Sequence, residues 1–458
     1  AVSGKETGRH DGDLQAVLAD LEKAGVAVVH VGIVDLDGVF RERRLRLAEL
    51  GEFAEGATFV NVLPQWDIAD QVFGGGPFVG EPIAIDPGSV RPYPFEADAA
   101  LLVADYSGPS AALSPRELLR AQVAKAAAMG YDVRCAFEFE FIVLEETAHS
   151  LREKNFEGLT PFAIDNHCWA GQTAAVHGDF VARLEQRLVA AEVPLHALGV
   201  ELGPGCFEAT LKAGEPVRAA DDATFFRLFT KAHCRREGQT ASFMAQLGAD
   251  YPGLSGHIHL SLAAKEQGGA NAFADGARED GLSGVCRAFI AGVVELAPEA
   301  LALCAHTVNA YRRLTPGNWA PQTASWAPQN YAAAIRAVAE PESRCRLEYR
   351  LPASDTNPYL ALAMMLGAGL DGIERGAEPP PPIATAGTGE APPPGSTAAP
   401  RLPHDLFEAT ERLAGSRRAR AIFGDAFIDH FVASRRAEEI ALRRQVSAAE
   451  RARYLETV

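Results

Sequence analysis

The sequence predicts an α+β fold built on an antiparallel sheet. Apolar residues alternate with polar or charged residues in FEFEF (137–141), SGHIHLSL (255–262) and RCRLEYRL (344–351). This period of two is typical of strands with two unlike faces. Leucine and valine recur at helical spacing in 12–24, and helical periodicity returns in 405–458. Strand and helix signals are intermixed along the chain, which favours helices packed on an antiparallel sheet.

The front of the chain predicts a small unit of helix and strands. A helix over 12–24 precedes a valine-rich strand at 26–34, a DLDG turn at 35–38 and a return strand at 39–47. The segment 59–107 is expected to be rich in loops and to end in one further strand, AALLVADY.

A domain boundary is predicted near residue 110. The segment LSPRELLRAQVAKAAAM (113–129) begins with a serine N-cap and a first-turn proline, and a run of helix-forming residues follows. We therefore expect an N-terminal domain over 1–110 and a catalytic domain over 111–458. Within the latter, 378–403 is rich in Pro, Gly and Ala and predicts a loop.

Composition limits the function classes. The chain has 458 residues and a formal net charge of −17, which disfavours binding to nucleic acid or an anionic membrane by bulk electrostatics. No apolar stretch is long enough to span a bilayer, and the first residues do not resemble a signal peptide. The seven cysteines form no CxxC pair, which indicates reduced thiols and a cytoplasmic protein.

The FEFEF segment places two carboxylates on one face of a strand. Glu138 and Glu140 point one way and the phenylalanines point the other. An exposed sheet face, where both glutamates meet water, is one interpretation. The other is a site in which a cation lies between them, because two like charges on one face repel.

Further strands add acids and imidazoles. Glu201 and Glu208 flank a Gly-Pro-Gly turn, and His257 and His259 share a strand face. A His-X-His pair on a strand is more often structural than ligating. In the RCRLEYRL strand, Arg346, Glu348 and Arg350 share one face. Such an Arg-X-Glu-X-Arg row is usually a salt-bridged surface row.

Together these groups predict a metal site. Five glutamates and two histidines lie on strands that could line one cavity, and that many carboxylates cannot share a cavity without divalent cations. Oxygen-rich ligation suits Mg²⁺ or Mn²⁺ better than zinc. Neighbouring arginines suit phosphates and a carboxylate substrate, so the pattern indicates metal-assisted phosphoryl chemistry.

Five motifs occur in one order between about 135 and 365: Glu-X-Glu, Glu…Gly-X-Phe-Glu, Gly-His-Ile-His-Leu-Ser, Asn-Ala-Tyr-Arg-Arg-Leu and Arg-Leu-Glu-Tyr-Arg-Leu-Pro. In these motifs and their order the chain resembles the glutamine synthetase family. The resemblance implies an N-terminal β-grasp domain followed by a catalytic domain with a curved antiparallel sheet. It also implies ATP, two or more Mg²⁺ or Mn²⁺ ions per site, and a homo-oligomer, a dodecamer of two hexameric rings.

The resemblance assigns expected roles to particular residues. One metal ion would be held by Glu140, Glu201 and Glu208, and a second by Glu138, His257 and Glu348. ATP would contact His259, Ser261, Arg336 and Arg346. The glutamate substrate would lie against Glu140, Gly253, Arg313 and Arg350. The residues expected to serve catalysis are Arg313, Arg350 and Trp319.

Two departures from the family fall on the ammonium pocket. The region VLPQWDIADQVFGGG lacks the Asp-Gly-Ser-Ser motif whose aspartate helps to bind ammonium. The flap TPGNWAP carries Trp319 where the family has a glutamate. A tryptophan there offers apolar area and a stacking face, so we expect an amine larger than ammonia. The other interpretation is that Trp319 only packs the flap.

A third departure concerns phosphoryl transfer. In WAPQNYAAAIR, Tyr331 stands where the family has an arginine that assists at the transferring group. Losing such a cation costs on the order of 10³-fold or more in rate. The expected function is an ATP-dependent ligase that forms a γ-glutamyl amide from glutamate and a non-ammonia amine through γ-glutamyl phosphate. The alternatives are the same chemistry on another carboxylic acid and a catalytically silent ring-forming homologue.

Overall fold

A computed structural model of the protein describes residues 13–165, 167–383 and 399–458. Its first sheet has the strand order β2-β1-β5-β4-β3, and β1 pairs antiparallel with β2 but parallel with β5. The strands of this sheet are β1 (Val28–Val34), β2 (Phe40–Arg46), β3 (Thr58–Val60), β4 (Gly80–Pro92) and β5 (Ala99–Tyr106).

The expectation of a loop-rich segment over 59–107 is wrong for β4, which runs for 13 residues. Pro82, Pro87 and Gly88 look like strand breakers in the sequence. In the structure the ladder between β4 and β5 is interrupted between Asp86 and Arg91, and this irregularity takes up the Pro-Gly pair. Pairing resumes on both sides of it, as in a bulged strand.

The second sheet has the order β12-β13-β14-β10-β6-β8-β7, with β11 paired to β10 and β9 paired to β6. Its pairs are antiparallel except β12 with β13, which are parallel, so the sheet is mixed. Its strands are β6 (Tyr131–Leu144), β7 (Leu195–Val200), β8 (Cys206–Leu211), β9 (Thr240–Ser242), β10 (Gly256–Ala264), β11 (Ala270–Asn271), β12 (Trp326–Pro328), β13 (Ile335–Val338) and β14 (Arg346–Tyr349).

Helices precede, separate and follow these strands. The predicted helices at 12–24, 113–129 and 405–458 are confirmed within the described residues. The described helices are α1 (Leu14–Lys23), α2 (Leu47–Glu55), α3 (Pro115–Ala128), α4 (Ala148–Glu153), α5 (Gly171–Val176), α6 (Gly178–Ala190), α7 (Pro216–Arg236), α8 (Gly284–Ala300), α9 (Ala310–Arg313), α10 (Pro358–Arg375), α11 (Leu406–Gly415), α12 (Arg417–Phe423), α13 (Asp425–Arg443) and α14 (Ala448–Tyr454).

The predicted 378–403 loop is only partly described. Residues 378–383 and 399–403 contain no helix or strand, apart from a single bridge between Thr323 and Arg401. Residues 384–398 lie outside the described residues. Among the helices described, none combines the length with the apolar composition that a bilayer crossing requires.

A phenylalanine cluster anchors the centre of the second sheet. Phe137, Phe139 and Phe141 of β6 are fully buried on one face of the strand. Phe141 stacks on Phe243 with ring centroids 5.3 Å apart, and Phe139 stacks on Phe226 of α7 at 6.0 Å. This packing fixes which face of β6 is buried, and it leaves the intervening glutamates on the opposite face.

Arg116 on α3 connects the first sheet to α7 through buried charges. Its guanidinium binds Asp221 of α7 through Nε and Nη2, both at 2.9 Å. It also donates to Asp105 of β5 at 2.9 Å and to Asp86 of β4 at 2.6 Å. Burial opposes the charge of Asp221, but Arg116 holds the pKa of this carboxyl below its usual range.

We expect Arg116→Met to lower the free energy of unfolding by about 3–5 kcal/mol, because buried carboxylates lose their counter-charge. Urea denaturation measures this change. The control is Arg44→Met: Arg44 pairs with Glu96 at 2.8 Å, but its side chain is 54% exposed. Such a pair contributes about 1 kcal/mol or less. Equal losses in both variants would contradict a central role for Arg116.

Candidate active site

Carboxylates and imidazoles meet on the face of the second sheet opposite the phenylalanines. Glu138 lies across from His257 of β10 on one side and Thr210 of β8 on the other. Glu140 lies across from Glu208 of β8. The predicted alternation along 137–141 therefore brings both glutamates to one cluster, together with groups from the neighbouring strands.

Glu138 is the centre of a network of hydrogen bonds. The Thr210 hydroxyl donates to its Oε1 at 3.0 Å, and His259 Nε2 lies 3.2 Å from its Oε2. His257 Nδ1 lies 3.7 Å from the same oxygen. Burial opposes ionisation of Glu138, but hydrogen bonds from the two imidazoles lower its pKa below the usual range.

Glu348 lies on the basic side of the cluster. Arg336 of β13 donates to its Oε2 at 2.5 Å, and Arg350 donates to its Oε1. His257 Nδ1 is 3.3 Å from Oε1. Burial would raise the pKa of Glu348, but the neighbouring cationic groups lower it to about 2.

Glu140 and Glu208 lie on the acidic side. Burial raises the pKa of Glu140 to about 7, against a hydrogen bond from the Ser255 amide and the charge of Arg313. Burial also raises the pKa of Glu208, and the neighbouring charges of Glu138 and Glu140 add to it, giving about 9. The positive charge beside these two carboxyls is therefore too small to offset their burial and mutual repulsion.

Glu201 follows β7 directly and is held by a loop that the sequence analysis did not single out. The Cys168 thiol donates to one carboxylate oxygen at 3.0 Å, and the Trp169 indole N–H donates to the other at 2.9 Å. Trp169 has a left-handed backbone with φ of 53° and is 78% exposed. Neither residue belongs to a periodic pattern, so only the folded structure reveals this contact.

The cluster fits divalent cations by several independent observations. Single ligand atoms of Glu138, His259 and Glu348 all lie within 4.8 Å of one another. His257 Nε2 is buried and has no hydrogen-bond partner among the described residues. His257 is also kept neutral, since burial and the Arg350 charge lower its pKa to about 4. A neutral imidazole with a free nitrogen beside the Glu138 and Glu348 carboxylates is a suitable metal-binding environment.

The expected nucleotide-binding residues occupy the same face. His259 and Ser261 follow His257 at alternate positions on β10, and Ser261 lies across from Arg134. Arg346 Nε donates to His259 Nδ1 at 3.3 Å. The structure thus groups His259, Arg346 and Arg336 near Glu348, while Ser261 lies further along β10.

Two of the expected acid-binding residues, Gly253 and Arg313, lie in close contact, and the charge of Arg313 acts on Glu140. Arg313 at the end of α9 donates to the backbone oxygens of Arg350 and Leu351, each at 3.1 Å, and its Nε has no partner among the described residues. A Cβ on Gly253 would come within 2.8 Å of Arg313 Cγ, so only glycine allows this close approach.

The flap, residues 315–321, begins two residues after Arg313. The Asn318 amide donates to the backbone oxygens of Arg312 and Arg313, both at 3.3 Å, and to Gln246 Oε1 at 3.2 Å. The next residue, Trp319, has a φ of 52° and is 51% exposed. The flap is therefore fixed at its base beside the site, with an indole projecting at the surface.

The N-terminal loop that replaces the ammonium motif binds itself and β2. Asp67 accepts hydrogen bonds from the amides of Ala69 and Gln71, both at 2.9 Å. Asp70 pairs with Arg41 at 2.6 Å. These acids therefore have structural partners within the first sheet and its loops.

Comparisons with known proteins agree with this geometry. The model for the glutamine synthetase catalytic domain matches residues 112–454. A glutamate–isopropylamine ligase from a Pseudomonas species is 32% identical over 96% of this chain and 97% of the relative. A type-1 glutamine synthetase from Dictyostelium discoideum is also 32% identical, over 93% of this chain and 82% of the relative. The solved structure of GmaS with ADP matches with a TM-score of 0.84 and 25% identity, covering 96% of this chain and 99% of GmaS.

The chain belongs to the glutamine synthetase family, and its second sheet is the curled mixed sheet of that fold. It is an ATP-dependent carboxylate–amine ligase of this family. Ligases of the family use ATP and divalent metal ions.

Because Glu208 lies among other carboxyls, we expect Glu208→Gln to raise the free energy of unfolding by an amount that depends on pH. Because the folded pKa of Glu208 is raised to about 9, this group stabilises the metal-free protein below the unfolded pKa and loses that effect as pH rises toward 9. With a chelator present to remove metal ions, the unfolding free energy of the variant should therefore be higher than that of wild type by on the order of 2 kcal/mol at pH 8. At pH 5 the difference should be much smaller.

Thermal denaturation with and without Mg²⁺ measures this effect. Added Mg²⁺ should stabilise wild type more than the variant at pH 8. Glu52→Gln, at an exposed position of α2, controls for a general loss of negative charge. A difference between Glu208→Gln and wild type that does not change with pH would contradict the assignment of repulsion at this site.

Proposed function

We propose that the protein joins glutamate, through its side-chain carboxylate, to an amine other than ammonia, with ATP as phosphoryl donor. The observation that carries the proposal concerns the flap. Asn318 fixes the base of the flap beside the site, and the next residue, Trp319, is exposed. Identity alone does not decide the nucleophile, since relatives of both kinds are 32% identical. The apolar flap residue favours the amine ligase.

We assign the roles of the site residues as the sequence predicts them. One divalent ion is held by Glu140, Glu201 and Glu208, and a second by Glu138, His257 and Glu348. Mg²⁺ or Mn²⁺ suits this donor set, in which five of the six groups are carboxylates. His259, Ser261, Arg336 and Arg346 contact ATP, and Gly253, Arg313 and Arg350 hold the acid beside Glu140.

The reaction follows in two steps. The γ-phosphoryl group passes from ATP to a side-chain carboxylate oxygen of glutamate, which releases ADP and leaves γ-glutamyl phosphate. The bound ammonium form of the amine first gives a proton to water, and its neutral nitrogen then attacks the carbonyl carbon. The bond to phosphate breaks, inorganic phosphate leaves, and the nitrogen gives a second proton to water as the amide forms. Bound divalent ions supply charge neutralisation at the phosphate oxygens.

Side chains of this chain orient the reactants. Arg336 and Arg350 lie on either side of the Glu348 carboxylate, which fixes the planes of both guanidinium groups. Arg313 is tied by its terminal nitrogens to the backbone beyond β14, and its buried Nε has no hydrogen-bond partner among the described residues. Rigid donors of this kind position a carboxylate and phosphate oxygens without large reorganisation.

Two tryptophans form the amine side of the site in this proposal. Trp319 stands on the flap, and Trp169 is held against Glu201 by its indole N–H. Both rings are largely exposed and both residues have left-handed backbones, a conformation that bulky residues adopt at a cost. A protonated amine with an apolar substituent can bind a carboxylate with its charge and an indole face with its carbon atoms.

We also propose the arrangement of domains and subunits. The hairpin of β1 and β2, the helix α2 and the parallel pair of β1 with β5 support a β-grasp domain over 1–110, followed by the catalytic domain over 111–458. Family membership supports a dodecamer of two hexameric rings, and the seven free cysteines support a cytoplasmic location.

Phosphate release is the direct test. With ATP, Mg²⁺ and glutamate, we expect release that depends on one class of alkyl, aromatic or polyamine amine and is at least tenfold slower with ammonia, since the flap offers no carboxylate. A colorimetric phosphate assay over an amine panel measures it. Amine-dependent release only with another acid would replace glutamate, and no release with any acid or amine would favour the silent homologue.

The flap itself is tested by Trp319→Glu. Restoring a carboxylate should raise ammonia use relative to the preferred amine by about tenfold or more, because an anionic group stabilises ammonium and removes the apolar contact. The ratio of kcat/KM for the two nucleophiles measures this change. Trp319→Gln is the matched control, since it shortens the side chain without adding charge. The same ratio in both variants would contradict the role of charge in the flap.

A further inference from the structure

The Tyr331 ring lies against two arginines of the site. The guanidinium carbon of Arg336 is 4.1 Å from the ring centroid, and that of Arg350 is 5.3 Å from it. The side chain of Tyr331 is 51% exposed and is not part of the apolar core. Its ring therefore contributes little to burial, and its main described contacts are with these guanidinium groups.

The backbone of the same residue reinforces one contact. Arg350 Nε donates to the Tyr331 carbonyl oxygen at 2.9 Å. Both arginines also donate hydrogen bonds to the Glu348 carboxylate: Arg336 donates to Oε2 and Arg350 donates to Oε1. Tyr331 and Glu348 thus hold the same pair of guanidinium groups, one through a ring face and the other through a carboxylate.

Electrostatics explains why an aromatic ring suits this place. Two guanidinium groups at one carboxylate repel each other, and a third cation at position 331 would add to that repulsion. The negative face of an aromatic ring attracts both cations instead, each by about 0.5–2 kcal/mol. Planar guanidinium groups stack on such a ring while their edges remain available for hydrogen bonds.

We propose that Tyr331 is a positioning residue that holds Arg336 and Arg350 in one arrangement and so links nucleotide binding to acid binding. This inference rests on the proposed function, in which Arg336 contacts ATP and Arg350 holds the acid. The tyrosine does not replace the missing cation directly. It fixes the two cations that are present.

The test compares Tyr331→Leu with Tyr331→Phe. Leucine removes the ring face, so KM for ATP and KM for the acid should both rise by about tenfold, while KM for the amine should stay within about twofold. Phenylalanine keeps the ring and should stay within about threefold of wild type for every substrate. Tyr331→Gln provides a second variant without a ring if the leucine variant folds poorly.

The control is Tyr454→Leu on α14. Tyr454 is 49% exposed and also lies by an arginine, Arg453, whose guanidinium carbon is 5.9 Å from the ring centroid. This substitution should change none of the Michaelis constants. Unchanged KM for both ATP and acid in Tyr331→Leu, or a rise in only one of them, would overturn the proposal.

Calorimetric titration of ADP separates this inference from the proposed function. ADP binding does not require turnover, so it remains measurable even if no amine supports the reaction. Weaker ADP binding in Tyr331→Leu, retained in Tyr331→Phe, would support the nucleotide half of the link. ADP binding equal to wild type in the leucine variant would overturn it, whatever the ligase assay shows.

Discussion

The buried phenylalanines of β6 are the constraint on which the site depends. Phe139 and Phe141 pack against rings from β8, α7 and the segment after β9, and Phe137 stacks on Phe139. These contacts leave only one face of the strand that can be buried. A slip of one residue would bury Glu138 and Glu140 in that aromatic cluster, at a cost of several kcal/mol for each ionised group. The energy of the core thus fixes where the carboxylates point.

Charge is distributed unevenly across the resulting face. On the side of β13 and β14, His257 and the arginines around Glu348 lower the pKa of its carboxyl to about 2. On the side of β8, burial and mutual repulsion raise the pKa of Glu208 to about 9. The first arrangement suits bound anions and the second suits bound cations. A phosphoryl donor with its divalent ions carries both kinds of charge, so the proposed substrate complex matches both sides.

The sequence predicts the strand-borne part of the site because alternation determines which side chains share a face. Glu138, Glu140, His257, His259 and Glu348 could all be placed in this way. Contacts that depend on loop conformation could not. The hydrogen bond from Trp169 to Glu201 joins residues far apart in sequence. The strand β4 was not predicted because its prolines look like strand breakers, and the irregular ladder with β5 accommodates them. The stacking at Tyr331 likewise required the fold, since the sequence showed only a missing arginine.

The alternation along the strands also constrains how this protein can change over time. Each glutamate of β6 that we propose as a metal ligand lies between two core phenylalanines, so mutations in that segment endanger folding and chemistry together. Trp319, Trp169 and Tyr331 lie on loops and are largely exposed, so their replacement has a small effect on stability. New amine preferences can therefore arise by drift at the loops while the reaction itself is inherited unchanged.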